Sequence, residues 1–94
     1  MSSVMLMIPR RAQLTESEAR ELMKRLEPVA GERGPANAIS RIQYALTDDK
    51  EQALTPAEAA AIHSTVATWL GEDPPLEPAA RGRLEKLYRA TSPI

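Results

Sequence analysis

Leu14-Thr15-Glu16-Ser17-Glu18-Ala19 and Leu54-Thr55-Pro56-Ala57-Glu58-Ala59 each open a helix, and their match sets the reading of the whole chain. In both, a threonine stands three residues before a glutamate. The hydroxyl can accept the glutamate's amide while the carboxylate returns to the threonine amide, which satisfies two donors that a helix start leaves orphaned. The register continues: Gly31-Glu32 matches Gly71-Glu72, Pro35 matches Pro75, and Leu22, Leu26 and Val29 match Ile62, Val66 and Trp69. Seven of the 22 positions from 14 to 35 are identical to their counterparts, where roughly two are expected for this composition. The match predicts two helical hairpins packed as pseudo-equivalent halves.

Working outward, the periodicity predicts helices over about 15–30, 35–47, 55–70 and 77–91. In the first, Ala19, Leu22, Met23 and Leu26 share one face, Glu16–Arg20 and Glu21–Arg25 pair on the other, and Pro28 ends or kinks the helix. Gly31 and Gly34 punctuate a turn, and Pro35 suits the first position of the second helix, with Ala38, Ile39, Ile42, Ala45 and Leu46 inward. Residues 47–52 are polar and break the period, so they read as a loop. In the third helix Ala59, Ile62, Val66, Trp69 and Leu70 form the stripe, and no Asp, Glu, Lys or Arg stands between Ala59 and Leu70. A surface helix carries charge on its outer face, so this one is expected to be central or covered by a partner. After a stiff linker, Gly71 to Pro75, the fourth helix turns Ala80, Leu84, Leu87 and Tyr88 inward and Arg81, Arg83, Lys86 and Arg89 outward. The expected fold is all-α: a four-helix bundle of two pseudo-repeated hairpins spanning 14–94. Residues 1–13 form an apolar N-terminal arm or strand, with Arg10 and Arg11 in a connector.

Ninety-four residues make one small domain with a narrow stability margin, so pairing with a second copy is a reasonable expectation. Twelve basic and 13 acidic residues nearly cancel, leaving no net field toward nucleic acid or membrane. The absence of cysteine excludes disulfides, thiol nucleophiles and Cys-containing zinc sites. Val4 to Ile8 is too short to cross a bilayer and lacks a preceding basic region. A cytoplasmic location without membrane contact is expected, and the Ala-, Arg- and Pro-rich composition has a bacterial or phage look. As a strand, Val4 to Ile8 is apolar on both faces and needs cover on both, from a copy of itself or a helix groove.

Chemistry-bearing residues are few. His63, the single histidine, has Ser64, Thr65 and Thr68 near it in sequence and no carboxylate within a turn on its C-terminal side. A general base needs a nucleophile or orienting carboxylate in reach, so an edge or interface histidine is expected. Asp48, Asp49 and Glu51, with Glu72 and Asp73 in the later loop, suggest a calcium loop, but Thr47 to Glu58 lacks the central glycine and the alternating ligands. No catalytic residues, metal or cofactor are expected.

The string Ala38-Ile39-Ser40-Arg41-Ile42 resembles the recognition helix of phage-repressor-type helix-turn-helix domains. That family places an Ala and a Gly in the preceding helix and turn, where this chain has Val29 and Arg33, with Pro28 just before. A strand followed by two helices also resembles ribbon-helix-helix dimers, whose paired strands present polar side chains to base edges; Val4 to Ile8 offers none. Arg10, Arg11 and Arg41, with Arg81, Arg83, Lys86 and Arg89 on the basic face of the fourth helix, are the candidate phosphate or nucleic-acid contacts. Nucleic acid is a possible partner and not the favoured one.

The favoured expectation is a small non-enzymatic interaction or regulatory protein, a homodimer or a subunit of a larger assembly. Its interface is expected at Val4, Leu6 and Ile8 and along the outer side of the third helix at Ala61, Ser64, Thr65 and Thr68. The alternatives are a DNA-binding regulator and an enzyme accessory subunit.

Overall fold

The structure, a computed structural model, describes residues 3–8, 10–48, 52–72 and 76–92, with side chains over 13–47, 53–72 and 76–92. The chain is mostly helical, with four helices behind a short N-terminal strand. In order come β1 (Ser3–Ile8), β2 (Arg10–Thr15), α1 (Glu16–Leu26), a 3-10 turn (Glu27–Val29), α2 (Arg33–Asp48), β3 (Gln52–Ala53), α3 (Pro56–Leu70) and α4 (Pro78–Ala90).

Both capping boxes form. Thr15 Oγ1 accepts from the Glu18 amide and Glu18 Oε1 accepts from the Thr15 amide, at 3.1 and 3.0 Å. Thr55 and Glu58 repeat the arrangement at 3.3 and 2.8 Å. Pro28 sits in the middle of the 3-10 turn, so α1 stops at Leu26 as the missing amide requires. Helix α2 starts two residues earlier than the proline suggested, which brings Gly34 inside it. A Cβ at Gly34 would lie 2.9 Å from the Ala57 carbonyl oxygen, so this glycine serves the close crossing of α2 on α3 rather than the turn.

Two segments that read as connectors are strands. β2 pairs antiparallel with β1, Val4 opposite Leu14 and Leu6 opposite Ala12. β3 pairs parallel with it at Leu6 and Met7, giving the order β2-β1-β3. Polar segments such as Arg10–Thr15 carry little strand signal of their own; here the apolar β1 supplies the ladder on both sides.

The core is one cluster. Leu14, Leu22, Leu26, Ile42, Ile62, Val66, Leu84 and Leu87 are fully enclosed, and Ala19, Ala38, Ala45 and Trp69 pack with them. Burying one such leucine, isoleucine or valine is worth about 1.5–3 kcal/mol. Helix α3 packs against α1, α2 and α4 and is the middle helix. Tyr88 departs from the expected core: it is 36% exposed and lies on the surface beside α3.

Among the described residues, no helix is long and apolar enough to cross a membrane.

Candidate interaction surface on helix α3

The buried side of α3 is Glu58, Ala59, Ile62, Val66 and Trp69. On the opposite side Ala57, Ala60, Ser64, Ala67 and Thr68 are exposed, spaced so that they share one face. That face bears no charge. Its small side chains let another backbone come close, and its few hydroxyls are partly used locally, since Thr68 Oγ1 donates to the Ser64 carbonyl at 3.3 Å.

Ala61, Ser64, Thr65 and Thr68 line one groove of about 510 Å³ together with Arg25, Pro28, Val29, Glu32, Pro35 and Glu72. The far wall comes from the end of α1, the 3-10 turn and the start of α2. Val29 matches the buried Trp69 in the sequence alignment, yet it is 48% exposed because the 3-10 turn breaks the helical register. The prolines and Val29 were not expected here; the one sequence signal was Pro28, which had to end α1.

The C-terminal end of the groove is held by charge. Arg25 donates to both carboxylate oxygens of Glu72 at 2.7 Å and to Glu21 at 2.8 Å, and its guanidinium lies 4.6 Å from the Trp69 ring. Hydrogen bonding to Arg25 holds the Glu72 carboxyl below the usual carboxylate range.

On the other flank His63 stacks on Tyr88, ring centroids 4.1 Å apart. Its Nδ1 is 2.9 Å from the Tyr88 carbonyl oxygen and 3.2 Å from Thr91 Oγ1. A carbonyl only accepts, so Nδ1 carries the proton and caps the end of α4. Among the described residues no carboxylate hydrogen-bonds His63, and no cluster of ligating side chains forms a metal site.

The other expected residues lie elsewhere. Val4, Leu6 and Ile8 are on β1, whose backbone is engaged by β2 and, at Leu6 and Met7, by β3. β1 is therefore the middle strand of a sheet within its own chain. The side chains of Arg10 and Arg11 lie outside the described residues, as do Asp49, Glu51 and Asp73 of the acidic loops and the Pro74–Pro75 linker. Arg81 and Arg89 pair with Glu85 at 2.9 and 3.8 Å, Arg83 with Glu18 at 2.7 Å, and Arg41 with Glu58 at 3.5 Å. These four arginines are thus partly neutralised within the chain. Lys86 is exposed on α4. In the Ile-Ser-Arg-Ile string, Ile42 is buried and Ile39 half-buried, and residues 27–32 separate α1 from α2, longer than the turn of a helix-turn-helix.

Glu18 and Glu58 show one further correspondence. Each capping carboxylate meets an arginine from another helix: Glu18 meets Arg83 of α4, and Glu58 meets Arg41 of α2.

Compared with known proteins, the chain matches no family model, no curated protein and no solved structure.

Proposed function

We propose that this chain is a small non-enzymatic interaction protein that docks through the uncharged outer face of α3 and the groove beside it. The observation that carries this is the exposed, charge-free strip Ala57, Ala60, Ser64, Ala67 and Thr68 on the middle helix of a domain whose other helices carry charge outward. Being central accounts for the buried side of α3. It does not account for a solvent-facing side without a single ionisable group, which an interface core favours. A groove lined by Pro28, Val29 and Pro35, and by the charged Arg25, Glu32 and Glu72, continues that strip. The pairing of Arg41 and Arg83 with the buried carboxylates of Glu58 and Glu18 favours this reading over phosphate binding, and the capping role of His63 favours it over catalysis.

The same reading treats the chain as two related hairpins. The reciprocal Glu18–Arg83 and Glu58–Arg41 pairs support it. So do the strands that lead into α1 and α3: β2 and β3 flank β1 on opposite sides and run antiparallel to each other, as a two-fold axis through β1 requires.

The test is site-specific photo-crosslinking in the cells that make the protein. A photoreactive residue at Ser64 should give adducts of defined mass, and the same residue at exposed Gln43 on α2 should give none. Absence of adducts from both Ser64 and Thr68 rejects the α3 face as a docking surface.

A further inference from the structure

We infer that the partner on α3 is a second copy of this chain, docked with the two α3 helices side by side and parallel, so that the groove wall of each copy meets α4 of the other. This rests on the interaction reading above and gives it an occupant.

The open face of α3 lies between two unlike walls. On one side stand Glu32 and Glu72 with Arg25, and the exposed Val29. On the other stand Arg81 and Arg89 with Glu85, and the exposed Tyr88. Helix α4 itself carries Arg81, Arg83, Lys86 and Arg89 against Glu85 alone. Across the uncharged strip, the wall with Glu32, Glu72 and Arg25 is therefore net acidic and the wall with Arg81, Arg89 and Glu85 net basic.

Symmetry then selects the arrangement. A two-fold axis running along α3 places the left wall of one copy against the right wall of the other, twice over, because an isologous contact pairs each patch with its complement. An axis perpendicular to the helices would make them antiparallel and place each wall against its like. Charge complementarity favours the first, and like-charge juxtaposition opposes the second.

The heights along α3 agree. His63 stacks on Tyr88, while Trp69 shares a cleft with Leu76 and Ala80, so α4 runs antiparallel to α3. At 1.5 Å per residue, Arg81 stands about 10 Å beyond Tyr88 toward α3's C-terminus, level with Leu70, and Arg89 stands level with Ile62. On the opposite wall Glu72 follows the end of α3. Glu32 immediately precedes α2, whose Gly34 meets Ala57 and whose Pro35 lines the groove with Ala61. An axis along α3 preserves height, so Glu72 faces Arg81 of the second copy and Glu32 faces Arg89. The small residues at Ala60, Ser64 and Ala67 let the two helices approach closely along the axis.

The experiment combines sedimentation and cysteine crosslinking, which is clean because the chain has no cysteine. The wild type should sediment as a dimer at tens of micromolar in low salt and dissociate as salt rises. Glu32→Lys with Glu72→Lys, and separately Arg81→Glu with Arg89→Glu, should each weaken self-association by about tenfold or more. An equimolar mixture of the two variants should restore the dimer. Circular dichroism checks that each variant is folded. Single Ala60→Cys and Ala67→Cys variants, both at exposed sites, should each oxidise to a disulfide-linked dimer. Antiparallel helices would join Ala60→Cys only to Ala67→Cys, and that result overturns the proposal. A wild type that stays monomeric at low salt overturns it too. If Ser64 nevertheless crosslinks a different protein in cells, the interaction reading stands without a second copy.

Discussion

Two glycines inside helices should respond to alanine with opposite signs, and the structure supplies the reason. Gly82 lies in the middle of α4, exposed, and an added Cβ would meet nothing within 4 Å. Alanine there removes the entropic penalty of glycine in a helix and should stabilise the protein by about 0.5–1 kcal/mol. Gly34 lies in the first turn of α2, where the same added carbon would stand 2.9 Å from the Ala57 carbonyl oxygen, 3.4 Å from its carbonyl carbon and 3.7 Å from its Cβ. Ordinary contact begins at about 3.4 Å, so α2 and α3 must part by about half an ångström, and overpacking of this kind costs about 1–3 kcal/mol. The propensity gain offsets less than 1 kcal/mol of that, leaving Gly34→Ala about 1–2 kcal/mol less stable. Because the two nearest atoms are backbone, adding Ala57→Gly should restore little. Urea unfolding followed by circular dichroism and by the fluorescence of Trp69 measures both changes. In a domain of this size each kcal/mol moves the melting midpoint by about 4–8 °C. If Gly34→Ala stabilises as much as Gly82→Ala, the close crossing of α2 on α3 is wrong, and with it the floor of the groove.

Removing either cap hydroxyl, by Thr15→Ala or Thr55→Ala, should cost about 1 kcal/mol each in urea unfolding, since both boxes are complete. For Glu18, burial pushes the carboxyl up, but Arg83 and the Thr15 amide outweigh it and hold the group below the usual carboxylate range. A depressed carboxyl contributes stability that is complete above its unfolded value and lost as pH falls through its folded value. Glu18→Gln should therefore flatten the acid limb of the stability profile, and an unchanged acid limb would refute this. Ser64→Arg, at an exposed site, should leave the unfolding midpoint within about 0.5 kcal/mol of wild type while abolishing self-association in sedimentation. His63→Ala should cost about 1 kcal/mol through loss of the stack on Tyr88 and the bond to its carbonyl, read as a lower urea midpoint.

The helix starts and the inward stripes were legible because both depend on local spacing. A threonine three residues before a glutamate closes a capping box whatever packs around it, and Leu22, Leu26, Ile62, Val66, Leu84 and Leu87 are buried where the helical period put them. The uncharged outer side of α3 could also be read directly from composition. Tertiary structure decided the rest, for reasons that do not reside in any one segment. Arg10–Thr15 is a strand because β1 lies beside it. Tyr88 leaves the core because His63 offers its ring a surface. Gly34 is a contact rather than a turn because α3 crosses over it, and Val29 is exposed because a proline-bearing 3-10 turn shifts it out of register with Trp69. The opposed charges flanking α3 are the furthest from the sequence. They come from residues 25–32 and Glu72 on one side and 81–89 on the other, and only the packing of α1 and α4 against the same helix sets them across a common face.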